Sequence, residues 1–440
     1  MTFSGGPYQE RTGHLYHQSH DTGNEINSFS FLVLRDSLVP LTRKFCDVVS
    51  PATPEQFREA YSVARLLHIK GWADKFNGLF SWSDVNKILL HHQFDFPRMR
   101  LLREGKIVSS ELYLKQYPSR RHKGSFRTKL NMDLFNEQVR TGATLAIDDV
   151  HEMFASVMAL AAGIEAFVRE SVRVNAYVSW ESARALDLHW DDHDVLAIQL
   201  LGRKKWAIYG TTRRHPLSLE TPEPPTSTPL WEEPLEAGDV LYVPRGWWHH
   251  VFPLGEPSIH LTFGIYRQTG IDFMAWLTEQ LRSEEIFRQD LPRFATEEEE
   301  TKHFEALRLN LLAHWDRTIL QRFFQEKDGM VEPTLHAGFP WTLMSNAADL
   351  PDHLEVRLSN LRPLRPELNP EDNTIIFVAN GKRWKFAAQT APIFQELNHH
   401  SSRSIRELCE AVSESISAEV VREFLLELLR ECLITPDNEG

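Results

Sequence analysis

The sequence has little cysteine: Cys46, Cys409 and Cys432 are the three in a chain of 440 residues. Their spacing matches neither a metal-ligand motif nor a disulfide framework, which is typical of a protein in a reducing compartment. Because free cysteine is among the residue types most often found inside proteins, we expect these side chains to be buried as small hydrophobic groups.

Long apolar runs are also lacking, since no stretch of the sequence is apolar over the length that a bilayer requires. Residues 1–6 do not form the basic region that precedes the apolar core of a secretory signal. These absences predict a cytoplasmic protein with no membrane contact.

Basic residues are fewer than acidic ones. The chain has 48 lysines and arginines and 61 aspartates and glutamates, which gives a formal net charge of -13. Binding to nucleic-acid phosphates requires a basic surface, so this balance argues against a general nucleic-acid coat protein. It favours a basic partner instead. The 42% hydrophobic content is that of a globular chain long enough for several domains and a large core.

The order of helix and strand signals predicts a barrel. The first 27 residues are polar, without apolar periodicity, and are expected to form a flexible arm. A helix start at Thr53-Pro54 and an amphipathic helix over 81–90 follow, and a helix is predicted over 150–170. Strands are predicted over 98–108, 143–147, 172–180, 195–201, 205–209, 237–244 and 258–266. Many short strands separated by turns suggest a sandwich or a jelly-roll barrel, the double-stranded β-helix of cupins.

Beyond residue 268 the pattern becomes helical, with predicted helices over 271–287 and 297–324. Their apolar stripes suit either a core or a dimer interface. The end of the chain combines a hairpin over 375–386, with Asn380-Gly381 at its turn, and three short helices, which resembles a winged-helix module. We therefore predict an arm (1–27), a catalytic domain (28–268), a helical dimerisation domain (269–370) and a winged-helix-like domain (371–440).

One short motif, His189-Trp190-Asp191, is the best candidate for chemistry. Side chains two residues apart on a strand share a face, so His189 and Asp191 could hold one metal ion. A third ligand would complete the two-histidine, one-carboxylate set of non-haem Fe(II) oxygenases. Taken alone, the pair is better explained as a strand-end histidine beside a surface aspartate.

His249 is the candidate third ligand, because it follows a turn, an apolar strand and a Pro-x-Gly turn over residues 236–246. His250 would point to the opposite side of an extended segment. Asp192, His193 and Asp194 are alternatives to Asp191 as the metal ligand that lies beside His189. Asn175 and Tyr177 share one strand face, and Ser258, His260 and Thr262 share another, so these side chains could line the mouth of the barrel or face water.

These motifs resemble those of the bacterial cupin-4, JmjC-type ribosomal oxygenases over roughly residues 31–433. The matching segments are 82–89, 97–101, 174–177, 189–194 and 258–262, although Leu188 stands where many members carry proline. The resemblance implies that Fe(II), 2-oxoglutarate and O2 are used to hydroxylate a side chain of a protein substrate, possibly a ribosomal protein. It also implies a homodimer formed by the middle helices and a tail that does not bind DNA.

The resemblance assigns His189, Asp191 and His249 to iron. Of the adjacent cations Arg203, Lys204 and Lys205, it selects Lys204 to anchor the distal carboxylate of 2-oxoglutarate. It makes Asn175, Tyr177, Ser258 and Thr262 candidate contacts of the co-substrate.

Three alternatives remain open on the sequence. The same chemistry on an N-methyl carbon would make the protein an Nε-methyl-lysine demethylase. The substrate could also be a peptide natural-product precursor or a free amino acid. As a non-enzyme, the chain would be a winged-helix DNA regulator whose barrel senses a ligand, which its acidic balance disfavours.

Overall fold

The computed structural model describes residues 45–91, 94–118, 124–181, 185–331, 346–347, 350–360, 362–399 and 402–436. The arm predicted over 1–27 lies outside these residues. The chain divides into one compact unit over Pro40–Arg267 and a second that includes Gln268–Gly440. Among the described residues, no helix combines the length and the apolar character needed to cross a membrane.

The first unit is built mainly from strands. Its helices are α1 (Pro54–Ser62), α2 (Trp82–His91), α3 (Met132–Arg140) and α4 (Ala155–Val168). Its strands are β1 (Leu67–Ile69), β2 (Met99–Arg103), β3 (Lys106–Ile107), β4 (Leu114–Pro118), β5 (Phe126–Leu130), β6 (Thr144–Ile147), β7 (Ser171–Ser179), β8 (Asp194–Leu201), β9 (Lys204–Gly210), β10 (Trp231–Leu235), β11 (Val240–Val243), β12 (Trp248–Pro253) and β13 (Ser258–Tyr266).

Two antiparallel sheets form the barrel. The larger has the strand order β1-β11-β8-β13-β7-β6-β2-β3, and the smaller has the order β10-β9-β12. A core cluster joins β8 and β11 of the larger sheet to β9 and β10 of the smaller, through Val195, Leu241, Trp206 and Leu235 among others. The predicted cupin-like jelly roll is therefore the fold of this unit.

Local sequence signals explain where several elements begin and end. Thr53 and Gln56 form a reciprocal capping box, with Pro54 at the first helical position of α1. The helix predicted over 150–170 is shorter than expected. A 3-10 turn, Val150–Glu152, precedes α4, because Phe154 has an extended backbone that interrupts the helical hydrogen bonds.

The second unit begins with helices. They are α5 (Gly270–Leu281), α6 (Glu285–Arg288), α7 (Glu297–His314) and α8 (Ile319–Met330). The predicted helices over 271–287 and 297–324 are therefore each divided in two. Between α7 and α8 the Asp316 carboxylate accepts hydrogen bonds from the backbone N–H and hydroxyl of Thr318, at 2.6 and 2.7 Å. Such local bonds compete with helical hydrogen bonding, which explains the break.

The end of the chain has the predicted hairpin and three helices. The strands are β14 (Glu355–Leu358), β15 (Glu367–Asn369), β16 (Thr374–Ala379), β17 (Lys382–Ala387), β18 (Arg403–Ser404) and β19 (Ile434–Pro436), and the helices are α9 (Ala391–His399), α10 (Ile405–Ala411) and α11 (Ala418–Arg430). Asn380 and Gly381 have φ angles of 54° and 70°, as a two-residue hairpin turn requires. A separate hydrophobic cluster stabilises this region.

The prediction of buried cysteines is wrong for two of the three. Cys409 is buried, whereas Cys46 and Cys432 are exposed. Cys46 lies on the outer side of a helical segment whose neighbours Phe45 and Val48 enter the core. Cys432 follows α11 in a left-handed conformation, with φ of 58°, so helical periodicity no longer decides its direction. All three are free thiols.

Candidate active site

Backbone pairing brings the two histidine segments together. His189 and His249 form an isolated antiparallel bridge, with N···O distances of 3.2 and 2.8 Å. A third backbone bond, from Gly246 N–H to the Asp191 carbonyl at 2.9 Å, extends the contact. The His-x-Asp motif thus precedes β8 as a bridge residue and an irregular segment, where a regular strand was expected.

The three predicted metal ligands lie within reach of a single ion. One donor atom from each of His189, Asp191 and His249 lies within 4.8 Å of the other two. Nε2 of His249 is 3.5 Å from a carboxylate oxygen of Asp191, and the two imidazole rings are 4.3 Å apart. This is the donor set of a two-histidine, one-carboxylate centre, which leaves coordination positions open.

Backbone carbonyls orient both imidazoles. Nδ1 of His189 is 2.8 Å from the Asp187 carbonyl, and Nδ1 of His249 is 3.0 Å from the Trp247 carbonyl. A carbonyl can only accept a hydrogen bond, so Nδ1 of each ring carries the proton. Nε2 of each ring is left with its lone pair available for a metal.

The electrostatics of the cluster favour the metal-binding protonation states. Burial, reinforced by the neighbouring His189, lowers the pKa of His249 to about 4. For Asp191, burial acts to raise the pKa, but the nearby His249 and His189 outweigh it and leave the pKa below its usual value. A neutral imidazole and an ionised carboxylate are the forms that bind metals.

The neighbouring residues that competed for these roles make other contacts. The buried Asp194 accepts a hydrogen bond of 2.6 Å from Arg245 N–H, and its other oxygen is 3.5 Å from Arg267. Asp192 is 3.1 Å from Nδ1 of His193. The His250 ring packs against Phe252 at 4.0 Å.

A cavity of about 150 Å3 extends from the donor cluster between the two sheets. Its polar lining residues are Asn175, Tyr177, Ser179, His189, Asp191, His193, Lys204, His249, His260 and Thr262. Its other walls come from Ala185, Leu186, Val195, Trp206, Val251 and Pro253. Ala185 and Leu186 precede the metal motif, so the segment before the motif forms one side of the cavity.

Lys204 lines the same cavity as a buried cation. Its side chain is 2% exposed, and Nζ donates to Nδ1 of His260 at 2.9 Å and to the Tyr177 carbonyl at 3.3 Å. In the part of the chain that the structure describes, no carboxylate forms an ion pair with it. Burial lowers the pKa of Lys204 to about 7.

The cations beside Lys204 face outward, as strand alternation requires. Arg203 pairs with Glu256 at 3.0 Å, and Lys205 pairs with Glu232 at 2.7 Å. Of the three adjacent cations, Lys204 is the one that reaches the cavity.

Three of the four expected co-substrate contacts line the cavity: Asn175, Tyr177 and Thr262. Ser258 is buried but is not among the lining residues. The turn between β8 and β9 covers it, since a Cβ atom placed on Gly202 would lie 2.9 Å from Cβ of Ser258. A contact between Ser258 and the co-substrate therefore stays a prediction.

Comparison with known proteins gives a matching domain family and several similar proteins. The JmjC domain family model matches residues 150–273. The chain is 26% identical over 299 residues to the bifunctional lysine-specific demethylase and histidyl-hydroxylase NO66 of Dictyostelium discoideum, covering 62% of this chain and 54% of the relative. It is 27% identical over 273 residues to ribosomal oxygenase 1 of Gallus gallus, covering 59% and 43%. The chain therefore spans about half the length of these curated relatives.

Solved structures of YcfD, a ribosomal oxygenase from Escherichia coli, share the fold. One has a TM-score of 0.58 and 15% identity, covering 88% of this chain and 98% of that chain. Another, in complex with cobalt and 2-oxoglutarate, has a TM-score of 0.54 and 16% identity, covering 89% and 99%. Residues 150–273 therefore match a JmjC domain, and the chain is similar to ribosomal oxygenases over about 60% of its length. The predicted resemblance to JmjC-type ribosomal oxygenases is thereby confirmed.

Two residues that line the cavity had no role assigned to them from the sequence. His260 is 5% exposed and stacks on Tyr177 with ring centroids 5.0 Å apart. Trp206 is buried and stacks on His249 at 5.8 Å. Strand alternation already grouped His260 with Thr262, and the same rule would have identified Trp206, which is two residues from Lys204.

The structure also contains a second group of possible metal donors, Asp149, His151 and Glu152. Nδ1 of His151 accepts a hydrogen bond from Val174 N–H at 3.3 Å, and Glu152 pairs with Arg98 at 2.9 Å. These contacts give the group a structural explanation.

Proposed function

We propose that the chain is an Fe(II)- and 2-oxoglutarate-dependent oxygenase that hydroxylates an amino-acid side chain of a protein. One observation carries the proposal: a His-Asp-His donor cluster and a buried lysine with no acidic partner among the described residues line one cavity. A metal centre alone would not require that cation, and an anion site alone would not require the donor cluster.

The residues that line the barrel cavity fit both Fe(II) and 2-oxoglutarate. His189, Asp191 and His249 would hold Fe(II), whose binding by two imidazoles and one carboxylate is well known. Lys204 would hold the distal carboxylate of 2-oxoglutarate, since an ammonium group is a compact point charge. When bound, the metal and the co-substrate supply oxygen activation coupled to decarboxylation.

The protein contributes positioning and exclusion of water. The Asp187 and Trp247 carbonyls hold the two imidazoles in one orientation. His260 and the Tyr177 carbonyl hold Nζ of Lys204 in the cavity. The side chains of Trp206 and Val251 form apolar walls of the cavity. Because electrostatic attraction is stronger in apolar surroundings than in water, these walls strengthen the attraction between Lys204 and a carboxylate.

The proposed substrate is a ribosomal or similar basic protein. The relatives are named as ribosomal oxygenases, and the net charge of -13 suits a basic partner. A second activity, N-methyl-lysine demethylation, is favoured by the name of the Dictyostelium relative, a bifunctional demethylase and hydroxylase.

We further propose that the protein forms a homodimer through helices α5, α7 and α8, with a winged-helix-like tail beyond residue 370. Large apolar side chains are exposed along these helices, including Ile271, Met274, Phe304, Leu309, Leu312, Leu320 and Phe324. Monomeric proteins rarely leave such faces uncovered.

Incubation with host ribosomes, Fe(II) and 2-oxoglutarate tests the activity. We expect succinate to form and one ribosomal protein to gain the mass of one oxygen atom. Loss of a methyl group would identify the demethylase instead. If no succinate forms and the protein binds duplex DNA in a salt-dependent manner, the oxygenase proposal is wrong.

A further inference from the structure

Strands β4 and β5 form a two-stranded sheet of their own. They pair in antiparallel register, from Leu114 opposite Leu130 to Pro118 opposite Phe126. Neither is hydrogen-bonded to another strand among the residues that the structure describes. The first residue of β4 is buried, whereas residues 115–118 are exposed. Burial in the core of the barrel unit therefore does not explain the composition of this hairpin.

The hairpin sequence is basic, although the chain as a whole is acidic. Residues 115–129 contain six lysines and arginines and no aspartate or glutamate, in a chain with a formal net charge of -13. The six are Lys115, Arg120, Arg121, Lys123, Arg127 and Lys129. The nearest acids along the chain are Glu111 and Asp133, one beyond each end of the hairpin. Even when both acids are counted, the segment keeps an excess of positive charge.

Two of these lysines lie opposite each other in the hairpin. The strand register pairs Lys115 with Lys129, and both side chains are exposed. In the described part of the chain, no carboxylate forms an ion pair with either of them. Like charges directly opposite each other destabilise a strand pair. The stability of the hairpin therefore does not explain why both positions carry lysine.

An aromatic side chain extends this cationic face. Tyr117 is two residues from Lys115, so strand alternation places both on the same face, about 6.6 Å apart along the strand. The Tyr117 side chain is 43% exposed, and Phe126, on the other face of the hairpin, is 63% exposed. Neither ring stacks on another aromatic ring within the described ranges. Lys115, Lys129 and Tyr117 thus present two cations and a ring to solvent on one face.

We propose that the face formed by Lys115, Tyr117 and Lys129 binds single-stranded RNA. Proteins that bind single strands combine cations, which contact phosphates, with aromatic rings on which bases stack. An acidic peptide would pair with the lysines but would not explain the exposed tyrosine ring. Binding to a membrane surface requires a broad apolar face, whereas this face has a single aromatic ring. RNA is chosen over DNA because the proposed substrate is a ribosomal protein, and this choice alone rests on the proposed function.

Fluorescence anisotropy tests the proposal, with a labelled oligouridine of about 12 nucleotides and the full-length chain, without Fe(II) or 2-oxoglutarate. We expect a dissociation constant on the order of 10 µM at low salt. Lys115→Gln/Lys129→Gln should bind at least about tenfold more weakly. Its plot of log affinity against log salt should be less steep by about 1.4, because each phosphate contact to a single strand contributes about 0.7.

The matched control for charge is Lys70→Gln/Lys302→Gln, which removes the same charge from exposed lysines outside the hairpin. Its affinity for the oligouridine should be nearly that of the unaltered chain. Thermal unfolding followed by circular dichroism checks the fold of both variants. Lys115→Gln/Lys129→Gln should be at least as stable as the unaltered chain, because it removes a repulsive pair.

Replacement of Tyr117 separates base stacking from charge. Tyr117→Ala should bind the oligouridine at least about fivefold more weakly with an unchanged salt dependence, because a stacking surface is lost and no cation is removed. Tyr117→Phe keeps the ring and should retain the affinity.

Three results would overturn the proposal. They are equal weakening in the two lysine variants, no binding of the oligouridine to the unaltered chain, and tighter binding to oligothymidine DNA or to phosphatidylserine vesicles than to the RNA. The last would assign the face to another polyanion. If RNA does not bind while a ribosomal protein still gains oxygen, this proposal is wrong and the oxygenase proposal stands.

Discussion

The two polar regions of the barrel cavity stabilise charge in different ways. At the donor cluster, the Asp191 carboxylate lies 3.5 Å from Nε2 of His249, and both imidazoles are oriented by backbone carbonyls. At the other region, Lys204 is buried beside His260 and a carbonyl, with no acid paired to it in the described residues. The first region is arranged by backbone pairing, whereas the second holds a buried charge that no acid among the described residues neutralises.

This difference has an energetic consequence. A buried cation without an acidic partner destabilises the folded state, because desolvation is not compensated by an opposite charge. The lowered pKa of Lys204, about 7, reflects this burial. Such a group is typical of a functional site, where stability is lost in exchange for ligand binding.

The largest expected effect is at the donor cluster. Asp191→Ala removes the carboxylate ligand, and we expect succinate formation to fall at least roughly 1000-fold, equivalent to about 4 kcal/mol. The matched control is Asp192→Ala, whose carboxylate lies 3.1 Å from Nδ1 of His193 and is not among the grouped metal donors. Rates measured at saturating Fe(II) and 2-oxoglutarate compare the two. Equal losses in both variants would exclude Asp191 as a specific ligand.

Replacement of Lys204 tests the second region. Lys204→Met keeps the side-chain length but removes the charge, and we expect the KM for 2-oxoglutarate to rise about 100-fold. At neutral pH the same variant should be more stable to unfolding by about 1–4 kcal/mol, because a buried charge has been removed. Kinetics and urea unfolding of the ligand-free chain measure the two effects. A destabilised variant with an unchanged KM would contradict this assignment.

The pH dependence of the same variant provides a second check. Burial lowers the pKa of Lys204 in the folded chain to about 7 from its usual value of 10.5, so between these values the unfolded chain binds more protons at this site. Its contribution to the free energy of unfolding therefore rises with pH across that window. Binding of 2-oxoglutarate requires the ammonium form and should weaken about tenfold between pH 6 and pH 8. In Lys204→Met this dependence should disappear.

The smallest expected effect concerns His260, which positions the Lys204 ammonium group. His260→Leu removes the acceptor at 2.9 Å, and we expect the KM for 2-oxoglutarate to rise about fivefold with kcat nearly unchanged. His260→Asn offers an amide oxygen as a replacement acceptor and should restore most of the affinity. If both variants lower kcat and metal affinity alike, His260 has only a structural role.

Much of the barrel could be predicted because its signals are local. The alternation in 172–180 and 258–266 corresponds closely to β7 and β13, and the Asn380-Gly381 turn lies where the sequence indicates it. The helix predicted over 297–324 is interrupted because the Asp316 side chain bonds to Thr318, a competition that apolar periodicity does not reveal.

The sequence by itself determined the types of chemical groups and their alternation along strands, which identified the pair His189 and Asp191. The family resemblance then selected His249 and Lys204. Only the tertiary structure decided that these side chains share one cavity and that Ser258 lies outside it. Tertiary structure likewise placed Lys115 opposite Lys129 in the hairpin of β4 and β5. The reason is physical: strand alternation is set by backbone geometry within a few residues, whereas burial and charge pairing depend on contacts between distant segments.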